Sequence, residues 1–404
     1  MTRATIFDLA SLTKVTATTT AVAVLFQEGH LTLDSRIAGL LNDDAFQGPN
    51  GAKAGITVKH CLTHTAGFPP DPNPWYWNTT AFGCPSNSGG GAPPPLDFTC
   101  LPAVYDSLMA QTLEAPPGQT YVYSDLSFIS LQFAVGAVVL DRGLLPPGPE
   151  SLCEACAAAA AKTNHNRAVM DIEPVARSVQ LSCAFEAFVR NAVLQPSGMQ
   201  YSAGYLPPPF LWPRTAPTLN DTEYTMRTPI QGEVSDGDAF AMGGIAGHAG
   251  LFATLGDVAA FAVGILNAAR GQAGNGTFPL NSTTAALFTA VVDSSLSSRA
   301  LGWDTNSLTV NDFGFDGVCG SGLTESAFLH IGYSGTCICI DPVRDFWSVV
   351  LTNRVFNCQG QLCPAGSEDA VKEVYRNFNT AAAAAAQQRM LKWDGEMAHS
   401  QNGS

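Results

Sequence analysis

The segment Phe7-Asp8-Leu9-Ala10-Ser11-Leu12-Thr13-Lys14-Val15 places a hydroxyl and an amine three residues apart, directly before an apolar stretch that ends at Gly29. Apolar residues recur at helical spacing between positions 17 and 26, so the sequence predicts a helix that begins near Ser11. Because positions i and i+3 share one face of a helix, Lys14 can reach Ser11. The Ser-x-x-Lys pattern is weak by itself, since a capping serine followed by a surface lysine has the same spacing.

Ser11 and Lys14 are the candidate nucleophile and its activating partner. A serine hydroxyl is a poor nucleophile until a base removes its proton, and a lysine serves as that base only when its pKa is lowered. We therefore expect burial or cationic neighbours to lower the pKa of Lys14. The N-terminal end of a helix adds positive potential, which favours a neutral amine and stabilises an oxyanion.

Three later stretches also carry residues suited to catalysis. They are Tyr123-Ser124-Asp125, the Gly-rich segment Gly243–Phe252 with His248, and His330-Ile331-Gly332-Tyr333 on a predicted strand. Taken in order, Ser11 to Lys14, Tyr123 to Asp125 and His330 to Gly332 resemble the three motifs of the serine β-lactamase and penicillin-binding-protein superfamily. The resemblance covers residues 6–380 and is greatest to the class C β-lactamase-related group, which includes D-Ala-D-Ala carboxypeptidases and esterases.

The resemblance implies an α+β fold, with an antiparallel sheet flanked by helices and an inserted, mostly helical lobe. It also implies a single catalytic domain at 1–385, with the lobe at about 50–245, the sheet and closing helix at about 246–385, and a tail at 386–404. We expect surface insertions at 69–100 and 144–178, where Pro, Gly, Ser and Ala dominate. Family members carry strands before the Ser-x-x-Lys helix, and we expect these strands to be absent here.

Each motif residue has a role that the resemblance implies. Tyr123 would act with Lys14 as the base and then return the proton to the leaving group. The N–H groups of Tyr333 and Ser11 would form an oxyanion hole, and Gly332 would let the substrate backbone approach closely. His330 would tune the charges of Tyr123 and Lys14, or bind a substrate carboxylate when protonated. The alternative is that His330 is a structural histidine on the strand whose hydrogen bonds are satisfied by its neighbours.

Two residues depart from the family pattern. Asp125 replaces the commoner Asn, and a carboxylate accepts hydrogen bonds but cannot donate one to a substrate carbonyl. Ile331 replaces the usual Thr and removes a hydroxyl. Both changes favour small esters or peptides over β-lactams as substrates.

Several residues leave alternatives open. Tyr76-Trp77-Asn78 and Tyr375-Arg376-Asn377 fit Tyr-x-Asn literally, but position and flanks favour Tyr123. His248 either lines the cleft or is a structural histidine in a Gly-rich turn. His60 and His64 have zinc-like spacing, but Cys61 stands where a metalloprotease has Glu. We expect no metal and no cofactor.

Outside the motifs, the sequence predicts a helix at 57–64, a helix at 185–194 and a helix that begins after Thr254. Two strands, at 328–340 and 346–352, should form a hairpin around a turn at 341–345. A closing helix should begin at Val371.

The composition limits the partners. The chain has 404 residues, is 46% hydrophobic and carries a net charge of −14. That acidity disfavours nucleic acid, and no apolar run reaches the length of about 18 residues that a transmembrane helix needs. We expect a small molecule or peptide as substrate.

The sequence gives weaker evidence about the cellular compartment than about the fold. We expect no signal peptide before Ser11, because the residues that precede it leave no room for a charged and an apolar region. The pairs Cys84/Cys100 and Cys358/Cys363 could form local disulfides, and five glycosylation sequons favour a secreted or extracytoplasmic protein whose leader is missing; the alternative is the cytoplasm.

The function that best unites these patterns is a serine hydrolase that acts on small esters, amides or peptides through an acyl-enzyme. One alternative is a catalytically silent binding or scaffold protein that keeps the fold. Another is a D-Ala-D-Ala carboxypeptidase or a β-lactamase proper.

Overall fold

A computed structural model describes residues 1–401 apart from 83–95, 147–150, 166–175, 200–201, 223–226, 273–277, 307–316, 359–362 and 364. Its α-helices are α1 (Thr20–Gln27), α2 (Ile37–Leu41), α3 (Val58–Leu62), α4 (Thr79–Phe82), α5 (Leu101–Ala110), α6 (Asp125–Asp141), α7 (Glu154–His165), α8 (Arg177–Phe188), α9 (Gly237–Ala241), α10 (Leu255–Ala269), α11 (Ser282–Thr289) and α12 (Ser367–Gln401). The strands are β1 (Ile6–Asp8), β2 (Gly204–Tyr205), β3 (Leu251–Thr254), β4 (Asp304–Thr305), β5 (Phe328–Gly332), β6 (Thr336–Asp341) and β7 (Phe346–Leu351).

The strands of the described residues form two antiparallel sheets. One has the order β1-β3-β2, and the other has the order β4-β5-β6-β7. Helix α10 packs against β7, while α6 packs against α8 in the helical part of the chain. This arrangement confirms the predicted α+β fold, in which an antiparallel sheet is flanked by helices.

The predicted nucleophile helix is present and deeply buried. A π-helical segment, Lys14–Thr19, continues directly into α1, and the helix ends before Gly29, which adopts a φ of +76°. Such a left-handed conformation is easy only for glycine, which explains why the helix stops there. Ala10, just before the helix, also has a positive φ of 47°. This sharp turn directs the chain from β1 into the helix at Ser11.

The late strands differ from the prediction in one place. The predicted strand at 328–340 is two strands, because the chain turns back between Gly332 and Thr336. Gly335 has a φ of +105° in this turn, and Ser334 Oγ donates to the carbonyl oxygen of Asp8 at 2.9 Å. The turn therefore brings the third motif against the nucleophile segment. The pair Ser334-Gly335 is a turn signal that the strand prediction overlooked.

The other predicted elements are present with shifted ends. The predicted helix after Thr254 begins with a capping box, in which the Thr254 hydroxyl accepts from the N–H of Asp257. Helix α3 ends at Leu62, and α8 begins at Arg177. Helix α12 begins at Ser367 and continues to Gln401, so the tail predicted after residue 385 is helical.

The segment at 69–100 is more than a surface insertion. Tyr76 is fully buried, and the carbonyl oxygens of Pro69 and Pro70 accept hydrogen bonds from Ser124 Oγ and the Asp125 N–H. The described part of this segment therefore supports the second motif, which the Pro- and Gly-rich composition did not reveal.

The expected disulfide between Cys358 and Cys363 is present, and two further ones join Cys156 to Cys183 and Cys319 to Cys339. Cys156 thus pairs with Cys183 and not with Cys153, which lies three residues before it and has a free thiol. The predicted partner of Cys100, Cys84, lies outside the described residues. No helix among the described residues is long and apolar enough to cross a membrane.

Candidate active site

Ser11 and Lys14 are in direct contact. The Nζ atom of Lys14 lies 2.9 Å from Ser11 Oγ, 3.1 Å from the carbonyl oxygen of His248 and 2.7 Å from a carboxylate oxygen of Asp125. The Lys14 side chain is fully buried, so these groups replace its hydration shell. An ammonium group has three N–H donors, and each has an acceptor here.

The protonation of Lys14 is the reverse of the sequence-based expectation. Burial alone would lower the pKa of Lys14, but the carboxylate of Asp125 and the phenol of Tyr123 together raise it above its ordinary value. The expectation was wrong because it took Asp125 only as a substrate contact. A protonated Lys14 cannot take the proton of Ser11, which leaves Tyr123 as the candidate base.

Tyr123 stands between Lys14 and a group of buried aromatic rings. Its ring centroid lies 5.0 Å from Lys14 Nζ and 4.4 Å from the ring of His64. The backbone holds it on both sides, because the Ser124 N–H donates to His64 Nδ1 at 3.0 Å and the Val122 N–H donates to the carbonyl oxygen of His64. These hydrogen bonds therefore hold the second motif against the loop that follows α3.

The structure specifies the tautomer of His330. Its Nδ1 lies 2.8 Å from the carbonyl oxygen of Ile331, which can only accept, so Nδ1 carries the proton. Burial, together with the positive charges of Arg299 and Lys14, holds the pKa of His330 well below its usual range. A neutral imidazole does not attract a carboxylate, so the structure opposes that proposed role of His330.

Ser11, Tyr123, Ile331, Gly332 and Tyr333 line one cleft of about 410 Å³. The close approach expected at Gly332 is made by the chain itself: a Cβ on Gly332 would lie 2.5 Å from the carbonyl oxygen of Leu9. Gly332 therefore serves first to seat β5 on the nucleophile segment. Tyr333 is 43% exposed at the mouth of the cleft.

The remaining wall of the cleft is mostly apolar and comes largely from helix α12. The structure adds residues there that the sequence did not single out, and they are Pro70, Val122, Arg354, Glu368 and Val371. Tyr375, from one of the rejected Tyr-x-Asn patterns, lines the same cleft. The other alternative, Tyr76, is fully buried, and its backbone N–H donates to Asp238.

His248 does not line the cleft; it lies behind Lys14. Its Nε2 is 3.1 Å from a carboxylate oxygen of Asp236. Burial alone would lower the pKa of His248, but the carboxylates of Asp236 and Asp125 raise it by more. The pKa of His248 therefore lies above its ordinary value. Donor atoms of Asp125, Asp236 and His248 lie within 4.8 Å of one another, a spacing that would suit a divalent cation. However, the ammonium of Lys14 already neutralises Asp125, so we interpret the group as an ion-pair cluster.

Sequence reasoning missed several polar residues around the site. The guanidinium of buried Arg299 lies 5.4 Å from the Tyr123 ring, and its Nε donates to the Tyr121 hydroxyl at 3.0 Å. Burial and the nearby carboxylates of Asp125 and Asp236 raise the pKa of Asp71 to about 6. Only His64 had a visible signal, in the segment His64-Thr65-Ala66-Gly67; the other residues reach the site through long-range contacts.

The geometry can be set beside known proteins. The sequence profile of the Beta-lactamase family matches residues 1–143 and 175–361. The chain belongs to this family. The resemblance seen in the three motifs is thereby confirmed, and together with the Ser11–Lys14 contact it makes the chain a serine hydrolase of the β-lactamase type.

Individual relatives are more distant. A protein of Escherichia coli (strain K12) named "Putative D-alanyl-D-alanine carboxypeptidase" is 27% identical over 358 residues, which are 87% of this chain and 70% of that protein. A penicillin-binding-protein homologue from Caulobacter crescentus has a TM-score of 0.53 and 18% identity, covering 87% of this chain and 78% of the other. A family VIII carboxylesterase has a TM-score of 0.52 and 16% identity, covering 92% and 82%. The two structures support the fold of this β-lactamase-family chain.

Proposed function

We propose that the chain hydrolyses small carboxylic esters, and more slowly amides or peptides, through an acyl-enzyme on Ser11. The observation that carries the proposal is the 2.9 Å contact between Oγ of Ser11, which lines the cleft, and the fully buried Lys14. Burying a lysine costs free energy, and a silent scaffold would have little physical reason to keep one beside a serine.

In the proposed mechanism, Tyr123 reacts as the phenolate, which accepts the proton of Ser11 as Oγ attacks the substrate carbonyl. The ammonium of Lys14 stabilises the negative charge of this phenolate before the proton is transferred. The oxyanion is held by the N–H groups of Ser11 and Tyr333, and Tyr123 then protonates the leaving alcohol or amine. Water attacks the acyl-enzyme by the same steps in reverse, which regenerates Ser11.

The cleft favours an apolar acyl group. Its volume of about 410 Å³ lies within the range of ordinary small-ligand sites. Val122, Ile331 and Val371 provide an apolar wall near Ser11, and burying aliphatic carbon against it contributes about 25 cal/mol per Å². The carboxylate on the thiazolidine ring of a penicillin would meet the apolar side chain of Ile331 at the position where the family pattern has a threonine hydroxyl.

The test measures covalent labelling and turnover together. Intact mass spectrometry after exposure to a fluorophosphonate should show one adduct, peptide mapping should place it on Ser11, and a short-chain nitrophenyl ester should be hydrolysed. Ser11→Ala should lose both signals. A folded wild-type protein that neither labels nor turns over ester would refute the proposal and favour the silent scaffold.

A second candidate is the release of D-Ala from peptides that end in D-Ala-D-Ala. Arg354 supports it, because this residue lines the cleft with its guanidinium carbon 4.5 Å from the ring centroid of Tyr333 and would attract a terminal carboxylate. The name of the Escherichia coli relative points the same way. Exposure to a penicillin and, separately, to such a peptide would decide, because a lasting penicillin adduct and free D-Ala are expected only from this activity.

We also propose an extracytoplasmic location. Three disulfides lie among the described residues, and such bonds persist chiefly in oxidising compartments. Non-reducing peptide mapping of protein from its native source should recover Cys156–Cys183 and Cys319–Cys339. Free thiols at all four positions would favour the cytoplasm.

A further inference from the structure

One partner of Lys14 lies outside the three motifs, and it is the carbonyl oxygen of His248. It lies 234 residues away in the chain, yet it accepts from Lys14 Nζ at 3.1 Å. The other two acceptors, Ser11 and Asp125, belong to the first two motifs. The direction in which Lys14 points its N–H groups thus depends partly on a segment outside the three motifs.

That segment is fastened to the nucleophile helix on both sides of His248. Thr18 Oγ1 donates to the carbonyl oxygen of Gly247 at 2.6 Å, and the N–H of Leu251 donates to Thr13 Oγ1 at 3.1 Å. The Gly247 N–H donates to Gln132 on α6. A side chain at Gly247 would collide with the carbonyl oxygen of Phe128, so the segment approaches as closely as a glycine allows.

The side chain of His248 is fastened separately, by Asp236. The same carboxylate oxygen accepts from His248 Nε2 at 3.1 Å and from the Ala239 N–H at 2.8 Å, where Asp236 caps α9. The preceding residue, Ser235, donates its N–H and hydroxyl to Asp8, each at 2.8 Å. Asp8 also accepts from the Ala10 N–H at 2.9 Å.

These contacts form a continuous path around the back of the site, in which only Asp236 is partly exposed. It runs from Ala10, next to the nucleophile, through Asp8 and Ser235 to Asp236, and from there through His248 to Lys14. Each end touches a group beside the reaction, while the middle lies away from the cleft. A path of this kind can fix the distance between Ser11 and Lys14 without contacting substrate.

We propose that Asp236 and His248 act as a positioning pair, in which Asp236 fixes the imidazole of His248 so that the carbonyl oxygen of His248 holds Lys14 against Ser11. The inference rests on the proposed acyl-enzyme function, which it deepens. His248 is a positioning residue, because it is buried behind Lys14 and does not line the cleft.

The first test compares His248→Ala, His248→Gln and Glu186→Gln. Loss of the imidazole should slow fluorophosphonate labelling of Ser11 and lower kcat for a nitrophenyl ester by about 10- to 100-fold, because a misplacement of about 1 Å has that effect. The KM should change little. His248→Gln keeps an N–H donor for Asp236 and should recover most of the rate. Glu186, a buried carboxylate 3.0 Å from Arg190 in the helical lobe, is the control, and its substitution should affect the melting temperature alone.

Asp236→Asn provides a milder variant in case His248→Ala fails to fold. Asparagine keeps the cap on α9 but removes the charge, so the labelling rate should fall several-fold with the helix intact. Labelling of His248→Ala at the wild-type rate per folded molecule would overturn the inference, as would a His248→Gln variant no better than His248→Ala. A wild-type protein that does not label would instead refute the proposed function. In that case NMR would test the positioning role separately. A ¹³Cε signal of Lys14 that is the same in His248→Ala as in the wild type would overturn it.

Discussion

Lys14 and Lys53 are both fully buried, in different surroundings. Lys14 contacts the carboxylate of Asp125 at 2.7 Å, and its pKa lies above the ordinary value. Lys53 donates instead to the carbonyl oxygens of Leu108 and Met109, at 2.9 and 2.7 Å, and burial lowers its pKa to about 8. Both side chains are essentially excluded from solvent.

The comparison shows what a formal charge adds to a buried ammonium. Carbonyl oxygens accept hydrogen bonds from Lys53 but do not compensate for the loss of hydration of its charge. Burial therefore favours the neutral amine. The carboxylate of Asp125 compensates for that loss, so the pKa of Lys14 lies above its ordinary value. The residue that would make a good general base by its pKa is therefore Lys53, which lies outside the cleft, while Lys14 is suited to electrostatic stabilisation.

Exchange of each lysine for methionine should give the largest contrast. Lys14→Met removes the charge that stabilises the Tyr123 phenolate, so the rate of Ser11 acylation should fall by about 10³-fold. Lys53→Met is the matched control and should leave the acylation rate per folded molecule unchanged. Stopped-flow release of nitrophenol measures both. Equal losses in the two variants would mean that the lysines act only through folding.

Removal of a single hydroxyl tests whether Lys14 leaves the base to Tyr123. Tyr123→Phe should lower acylation by about 10²-fold or more, since general-base catalysis contributes an effect of that size. Tyr105→Phe, which breaks a 3.0 Å hydrogen bond to Asp43 outside the cleft, is the control. If Tyr375→Phe abolished activity and Tyr123→Phe did not, the rejected Tyr375-Arg376-Asn377 pattern would hold the base.

The sequence predicted the residues that meet at the nucleophile but not their charges. Ser11 and Lys14 are three apart on one helix, so local geometry suffices to bring them together. The position of Tyr123 and His330 came from the family resemblance. The pKa of Lys14 was predicted in the wrong direction because its shift depends on Asp125, which reaches it only when α6 packs beside the nucleophile helix.

The remaining errors have different origins. Arg299 and Asp236 reach the site from segments far apart in sequence, and no local pattern indicated a role for them. The Gly-rich pattern around His248 marked that residue but did not show whether it lines the cleft. The prediction of one strand at 328–340 gave too much weight to the apolar and β-branched residues on both sides of Ser334-Gly335, which is itself a turn signal. Gly335 decides the turn, through its positive φ and the bond from Ser334 to the backbone of Asp8.

Asp125→Asn should make Lys14 behave more like Lys53. Without the carboxylate, burial dominates and the pKa of Lys14 should fall below its ordinary value of 10.5. The chain has only six lysines, at 14, 53, 59, 162, 372 and 392, so a ¹³Cε titration can follow each signal. The alkaline limb of the acylation profile should move to lower pH with the Lys14 signal. An unmoved Lys14 titration would show that another group holds the charge.

The smallest expected effect is on stability. It concerns Asp71, a carboxyl group that the ion-pair cluster of Lys14, Asp125, Asp236 and His248 does not neutralise. Its pKa is raised to about 6 by burial and by Asp125 and Asp236, against an ordinary value of 3.8. Because the folded state favours the protonated acid, wild-type stability should decrease relative to Asp71→Asn as the pH rises from about 4 to 6, and the gap should then stay constant. With allowance for solvent screening, Asp71→Asn should gain about 1 kcal/mol at pH 7 and nothing at pH 4 in urea unfolding. Asp34→Asn, at an exposed site, should show no such pH dependence. A gain at pH 4 equal to that at pH 7 would mean that Asp71 titrates normally and that Lys14 neutralises the whole cluster.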